Sequence, residues 1–474
     1  MILAYLTGSL LIAVLLFLNR NTVLNRALVI SFLTLQWFFT WHQFNHLDLE
    51  QFDYFQPDAL ALLLIGTLSI ISIPAMMHSY DYIYPEKDNS RTRGMYFAAT
   101  VVLIMSLTLA YLASHIAVTW IFVEITTLSA SALIFHRRNA GSIEATWKYI
   151  FASSISLVFV FIGILFLSIS LGEAGEDKLH YDSLMELSSG LNPIWLKLAF
   201  VFIFTGYTLK LGLVPMYTAG IDAKDKAPTP SGALFSSVVM NVGFVGVFRF
   251  YKVIAHTEVQ DWANSVIMIA AFLSIFVAAV YMIKVRNIKR MLAYSSIEHM
   301  GIIMLGMAVG GIGYYAAILH LVLHSFAKSS MFFQIGHLYK TFKTKNIYSI
   351  GNYFKYNPAG AVFILLAFIC VTAMPPSGLF ISEFYIFKAM FEASFLWVLI
   401  PVLLLLTVII WAFGKSILKM LFTPPVSFDE SKVEPVKTTE TASQYFLLSL
   451  VIILGIAPPT YFVELIKLAT NYLY

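Results

Sequence analysis

Residues Thr119–Phe135 read TWIFVEITTLSASALIF. The run is apolar or small throughout, except for one carboxylate, Glu124, near its middle. A helix that crosses the hydrocarbon of a bilayer needs about 20 residues of this kind, because every backbone polar group must be satisfied within it. The same texture recurs along the chain. Of 474 residues, 59% are hydrophobic and 12% are charged; 40 are Phe, against 30 Lys and Arg and 26 Asp and Glu. A soluble domain carries about 25% charged residues. The scarcity of charge excludes a soluble, a disordered or a nucleic-acid-binding protein. A single Cys excludes a disulfide framework and a thiolate metal cluster. The sequence predicts an all-α polytopic membrane protein.

Counting apolar runs gives about fourteen spans, the fifth at roughly 116–136, the seventh at roughly 194–215, the eighth at roughly 229–251, the tenth at roughly 292–309, the eleventh at roughly 314–339 and the twelfth at roughly 359–390. Met1–Leu18 lacks a basic front end and an obvious small-residue cleavage site, so it reads as a span and not as a cleavable signal. Lys and Arg near span ends are retained on the cytoplasmic side. They gather after odd-numbered spans: Arg20 and Arg26; Lys87, Arg91 and Arg93; Arg137 and Arg138; Lys224 and Lys226; Lys284, Arg286, Lys289 and Arg290; Lys340, Lys343 and Lys345; Lys432 and Lys437. The stretch Asn45–Gln56 has Asp48, Glu50 and Asp53 and no basic residue, and Glu173–Asn192 sets Glu173, Glu176, Asp177, Asp182 and Glu186 against Lys178. Odd loops are therefore expected in the cytoplasm of a cell bounded by this inner membrane, with both termini outside. The longest polar stretches, roughly 173–192 and 423–443, are too short to bury a core of their own.

Ionisable groups within a bilayer are costly and face a bundle interior or a water path. Besides Glu124, Lys210 stands toward the end of span seven and Glu383 within span twelve. His320, His324 and Lys328 follow one another at i, i+4 on one face of span eleven. Glu298 and His299 are read as opening span ten, where a boundary pair that anchors the helix is the plain alternative. Arg249 ends span eight and is expected to snorkel to an interface. Lys148 falls on a polar face of span six with Ser153 and Ser154 beyond it, and Glu144 lies one turn before it. Two proline-marked interruptions stand close to these charges, Gly212 and Pro215 after Lys210, and Pro375, Pro376 and Gly378 before Glu383. Proline removes a backbone donor and breaks or kinks a helix, and broken helices at membrane depth occur where they line a polar cavity. Acid, amine, imidazoles and acid on separate helices suggest a proton relay. Metal and nucleotide motifs are missing: there is no HExxH, GxxxxGK[ST] or GxGxxG. His320 and His324 share a face, but no carboxylate or further His stands near them in sequence, so no metal or cofactor is assigned to the chain.

Several longer runs carry a family pattern. They are Trp120–Glu124 followed by Glu144-Ala145-x-x-Lys148-Tyr149; Lys210–Arg249, including APTPSGALFSSVVMNVGFVGVFR; KRMLAYSSIEHMG at Lys289–Gly301; His324-Ser-x-x-Lys328 with Phe332; and MPPSGLFISEF at Met374–Phe384. With these the chain resembles the antiporter-like membrane subunits of respiratory complex I and its hydrogenase relatives, and is similar to subunits of Mrp-type cation/proton antiporter complexes. SSIEHMG, HSxxKS and Asn241 resemble the hydrogenase-4, or formate hydrogenlyase, component F-like branch. Many quinone-reductase relatives hold a lysine where Asn241 stands.

The resemblance implies fourteen helices with two inverted five-helix repeats, each with one broken helix. The division would be 1–93 for helices one to three, 94–254 and 255–422 for the repeats, and 423–474 for a loop and the last helix. Glu124 would pair with Lys210; His320, His324 and Lys328 would continue a central polar axis, and Glu383 would give its exit charge. The implied activity is proton translocation, or Na+/H+ exchange, driven by electron transfer in partner subunits. Fe–S clusters, and NiFe or flavin, would then lie in a soluble redox arm, with no redox centre in this chain. Where the family usually has His and Trp after the proline of span seven, this chain has Tyr217 and GIDAKDKAPTP, which alters the expected input route. Asn241 cannot carry charge, so a link past it needs water or polar neighbours. A subunit of an Mrp-type antiporter complex and a non-conducting assembly subunit are the alternative readings.

Overall fold

The computed structural model of the chain describes residues 1–83, 90–176, 178–425, 436 and 438–473. Lys87, Lys432 and Lys437, on which the expected orientation partly rests, and Asp177 of the acidic stretch lie outside the described residues. The rest is almost wholly helical, as a chain must be that leaves few polar backbone groups to water.

The helices are α1 (Ile2–Leu18), α2 (Thr22–Phe44), α3 (Ala59–Ile83), α4 (Ser90–Leu112), α5 (Ile116–Phe135), α6 (Ala140–Glu173), α7 (Tyr181–Leu187), α8 (Pro193–Leu211), α9 (Thr218–Lys226), α10 (Thr229–Ser236), α11 (Val238–Ile254), α12 (Gln260–Lys284), α13 (Ile288–Val309), α14 (Ile312–Phe342), α15 (Tyr353–Tyr356), α16 (Pro358–Val371), α17 (Gly378–Glu392), α18 (Leu396–Phe422), α19 (Ala442–Ile456) and α20 (Thr460–Thr470). Their ends are written locally. Asn21, Asn139, Asn192, Asn287, Asn357 and Ser377 each cap a helix by accepting from a backbone N–H of its first turn. α8 stops at Gly212, whose φ of 76° is left-handed and readily adopted by glycine.

Among the described residues, eleven helices are long and apolar enough to cross a membrane, or twelve if the bent pair Ala442–Ile456 and Thr460–Leu473 is one span. α1 and α16, of 17 and 14 residues, are apolar but shorter. Apolar runs overstate helix length where a break falls inside them. The run expected at roughly 359–390 holds two helices, α16 and α17, on either side of Pro375–Pro376.

The chain divides into two compact units. The first comprises Met1–Ser231, Val238–Val266 and Glu464–Tyr474, and the second Gly232–Ser237 and Ile267–Val463. In the first, α6 lies along α8, α4 along α5 and α1, and α11 along α8. In the second, α14 is flanked by α13, α17 and α19. α14 is buried along its whole apolar window, whereas α6 is 39% buried along its own. The outer face of α6 shows why, for Trp147, Phe151, Ile155, Val158, Phe161 and Leu165 recur at helical spacing and are exposed, as a lipid-facing stripe must be.

Three sets of residues take positions other than those expected. Arg249 does not snorkel. It is buried, and donates to the carbonyl oxygens of Tyr111 at 2.6 Å and Ala113, and to Asp58 Oδ2 at 3.1 Å. It thus satisfies carbonyls at the end of α4 that have no helical donor. Glu298 and His299 do not open a span but lie in the middle of α13, which starts eleven residues before His299, because Asn287 caps the chain earlier than hydropathy suggests. Lys224 is not a loop charge; it is buried on α9.

α11 crosses α8 closely at Gly243, where a Cβ would meet Leu211 N at 2.7 Å and Lys210 Cβ at 2.9 Å. Gly243→Ala should therefore lower stability by about 1–3 kcal/mol through overpacking. Gly220→Ala on α9, where a Cβ meets nothing within 4 Å, should be neutral or stabilising by up to about 1 kcal/mol. Thermal melts of the two variants in detergent check the contrast. Arg249→Ala should cost about 3 kcal/mol, because Asp58 and two carbonyls lose their buried partner; the same melts read it, and an unchanged midpoint would refute the capping role.

Candidate functional site

The first unit holds Lys210 in the last turn of α8, where the left-handed Gly212 ends the helix and the close approach of Gly243 excludes larger groups. Its ammonium is buried and donates to Thr127 Oγ1 at 2.8 Å, Tyr149 OH at 3.1 Å and Thr126 Oγ1 at 3.3 Å. The threonine hydroxyls give their own protons to the carbonyl of Val123, at 2.6 Å from Thr126 and 3.2 Å from Thr127, so their lone pairs are turned to the ammonium. Three acceptors meet the three donors of a lysine. The expected direct pairing with Glu124 is not made. Glu124 lies one turn before Thr127 on α5 and does not touch the ammonium; its Oε2 is buried without a hydrogen-bond partner among the described residues. Hydroxyls, not the carboxylate, solvate Lys210.

Asn241 is fully buried on α11. Beside it, Lys224 of α9 reaches Met240, its Nζ 3.0 Å from the sulfur. Glu144 and Lys148 lie at the surface instead. They form an exposed i, i+4 pair at 2.5 Å on α6, and Lys148 also reaches Asp222 of α9 at 3.6 Å. α9 thus has Asp222 beside a surface ion pair and, two residues on, Lys224 in the interior.

The second unit holds another buried amine that meets a hydroxyl. Lys328 of α14 donates to Ser295 Oγ at 2.6 Å, and that hydroxyl donates to Glu298 Oε2 at 3.3 Å, both on α13. Here an amine and a carboxylate are joined through a hydroxyl. Next to them stand the imidazoles. His299 Nδ1 is 3.0 Å from His320 Nε2 and 3.9 Å from Glu383 Oε1; His299 Nε2 is 3.9 Å from Glu298 Oε2; the ring of His324 is centred 5.2 Å from that of His299. His320 Nδ1 meets Ser382 Oγ at 2.9 Å. His320, His324, Lys328 and His299 are fully buried, and Glu298 and Glu383 nearly so. The structure therefore brings together, within this unit, Glu298, His320, His324, Lys328 and Glu383 from the residues singled out in the sequence.

Along the chain alone His299 passes for a helix-boundary group, and Thr126, Thr127, Tyr149, Ser295, Ser382 and Lys224 do not stand out. Their signals are weak. The two threonines follow Glu124 closely, Tyr149 ends one of the family runs, and Ser295 lies three residues before Glu298, a helical spacing that puts a hydroxyl beside a carboxylate.

Chemically, such an arrangement holds protons at stated atoms on amines, imidazoles and carboxylates, with hydroxyls between them that accept one proton and donate another.

The profile of the family described as "NADH:quinone oxidoreductase/Mrp antiporter, TM" matches residues 113–409. The chain is 29% identical over 390 residues to a hydrogenase-4 component F homolog of Methylacidiphilum infernorum (isolate V4), across 80% of each chain. It is 24% identical over 412 residues to NADH-quinone oxidoreductase subunit N of Hydrogenovibrio crunogenus, across 85% of this chain and 83% of that one. In fold it is similar to a chain of the membrane-bound sulfane sulfur reductase, an archaeal respiratory membrane complex, with a TM-score of 0.87 at 21% identity over 100% of this chain and 96% of the other. A chain of the Mrp complex from Dietzia sp. DQ12-45-1b gives 0.88 at 15% identity over 100% and 97%. With the profile spanning more than half of its residues, this polytopic membrane chain belongs to the NADH:quinone oxidoreductase/Mrp antiporter membrane-subunit family.

Proposed function

We propose that the chain is a proton-translocating membrane subunit of a multisubunit, redox-driven complex. The observation that carries this reading is a pair of buried amines held by hydroxyls, Lys210 by Tyr149 and by Thr127, one turn after Glu124, and Lys328 by Ser295, which joins it to Glu298. A lysine solvated only by hydroxyls in a water-poor interior holds its proton through nearby negative charge. While Glu124 is ionised it favours the charged amine; when that support is withdrawn, the proton leaves. Two unit charges about 4 Å apart interact by about 4 kcal/mol at an effective dielectric of 20, so a modest change in charge or position is enough to gate a transfer.

In this reading protons move along Glu124, Lys210, the His324 and His320 region, Lys328 and Glu383, with Asn241 as an uncharged polar neighbour and Glu298 as the carboxylate of the second amine. Glu144, Lys148 and Asp222 form the surface approach to Lys224, which takes the part of the input histidine expected in the family. Fourteen helices in two inverted five-helix repeats, roughly 94–254 and 255–422, with breaks at 212–217 and 372–377, would frame the two lysines. The first 93 residues and residues 423–474 would flank these repeats. Both termini would lie outside an inner membrane, as the distribution of Lys and Arg suggests. The partners are other membrane subunits and a soluble arm whose Fe–S clusters, with NiFe or flavin, supply the driving electrons; this is what the relatives' names suggest. Na+ in place of H+ would use the same carboxylates.

Reconstitution of the intact complex in vesicles with a pH-sensitive dye tests the proposal. Glu124→Gln and Lys210→Ala should each reduce proton uptake by about 100-fold, the lower end of what a positioned acid–base group contributes, with assembly unchanged. Wild-type proton stoichiometry in both variants would refute the relay, and uptake that needs Na+ would reassign the ion. Tyr149→Phe and Ser295→Ala, which each delete one hydroxyl, should slow uptake by about 10-fold, the kinetic equivalent of about 1.4 kcal/mol. Lys148→Ala should slow it less, because that amine is exposed and replaceable by water.

A further inference from the structure

The buried groups of the second unit converge in a way that proton transfer alone does not require. We propose that His299, His320 and Glu383 form a binding site for one divalent transition-metal ion of the Zn2+ type. Three helices contribute, α13, α14 and α17, and one ligand atom from each residue lies within 4.8 Å of the others. Ligand atoms around a tetrahedral zinc ion stand roughly 3.3 Å apart, given bonds of about 2.0–2.1 Å. The distances here straddle that figure, 3.0 Å between His299 Nδ1 and His320 Nε2 and 3.9 Å between His299 Nδ1 and Glu383 Oε1. Small rotations of buried side chains suffice.

A hydrogen bond from outside the site aims one of the imidazoles. Ser382 gives its hydroxyl proton to the backbone carbonyl of Leu379 at 3.0 Å, so its oxygen accepts at 2.9 Å from His320 Nδ1–H. That fixes the tautomer of His320 and leaves the lone pair of Nε2 facing His299 and Glu383. With Nδ1 of His299 turned to the site, its Nε2 lies 3.9 Å from Glu298 Oε2, too far for a hydrogen bond. Charge agrees. Glu298 and Glu383 bring two carboxylates to within 3.9 Å of the His299 ring, and a dication offsets their repulsion. Two imidazoles and one carboxylate suit zinc and its neighbours better than Mg2+ or Ca2+, which take oxygen ligands. A cavity of about 330 Å³, lined by Ser295, Glu298 and Glu383 among chiefly apolar side chains such as Phe380 and Leu403, adjoins Glu383 and leaves room for a water as fourth ligand.

The ligands are also groups of the proposed relay, so an occupied site would stop proton movement there; only this consequence rests on the proposed function. The binding itself is tested without turnover. The purified complex is equilibrated with micromolar Zn2+ and desalted; bound zinc is measured by mass spectrometry and its shell by X-ray absorption. The wild type should hold one zinc more than His320→Ala or Glu383→Gln, with imidazole nitrogens in the shell, and Ser382→Ala should bind about 10-fold more weakly. Because His320→Ala could perturb folding, Glu383→Gln, which keeps the side-chain shape, is the deciding variant. Replacing the half-buried pair His42 and His46, whose rings stack at 3.9 Å on the first unit, should leave that zinc in place. Equal zinc content in the wild type and Glu383→Gln, or a shell without imidazole, would overturn the proposal. Zinc bound at this site while pumping continues would support the site and overturn the relay instead.

Discussion

An ammonium ion inside a membrane must be solvated by the protein, and much of this structure follows from that demand. Burying a bare charge costs more than one helix contact returns, and hydroxyls are placed to receive both Lys210 and Lys328. Meeting the three donors of Lys210 requires α5, α6 and α8 to converge within hydrogen-bond reach, since Thr126 and Thr127 lie on the first and Tyr149 on the second. The convergence in turn requires α8 to end at Gly212 and α11 to approach it at a residue without a side chain, Gly243. The same rule acts on Arg249, which meets Asp58 and the uncapped carbonyls at the end of α4.

Solvation by hydroxyls has a chemical consequence that solvation by a carboxylate does not. A directly paired lysine and glutamate neutralise one another and hold their protons tightly. A hydroxyl between them lowers that attraction and supplies an atom that accepts from one side and donates to the other. Ser295 does this between Lys328 and Glu298, and Thr127 and Tyr149 receive the ammonium of Lys210. The second unit adds paired imidazoles, whose ring nitrogens carry either a proton or a metal ion. The geometry that suits one suits the other, because both are held at a lone pair.

Much of this is legible in the order of residues alone, and the reasons differ from residue to residue. Glu124, Lys210, His320, His324, Lys328 and Glu383 stand out because charge within an apolar run is rare and costly. Glu298 and His299 are visible but misplaced by hydropathy, which marks where polar residues thin out and not where Asn287 caps a helix. Lys224 reads as a loop charge because GIDAKDKAPTP carries four charges among eleven residues, and nothing local tells which side chain of a short helix turns inward. Glu144 and Lys148 match a family run, yet they lie exposed, one turn apart, on the helix that also carries the lipid-facing stripe.

Composition and the periodicity of single helices suffice to establish that the chain lies in a membrane, that it is helical, and which few charges interrupt its apolar runs. Each of these properties is governed locally, by the hydration free energy of one segment. Which charges meet is settled only in three dimensions. Folding brings the hydroxyls of two other helices to Lys210, joins His299 to His320 and Glu383 across three helices, and buries Arg249 against carbonyls far away in the chain. Such meetings depend on the separation and rotation of neighbouring helices, and those are fixed by glycines and side-chain volumes on several segments at once, which no single stretch of sequence contains.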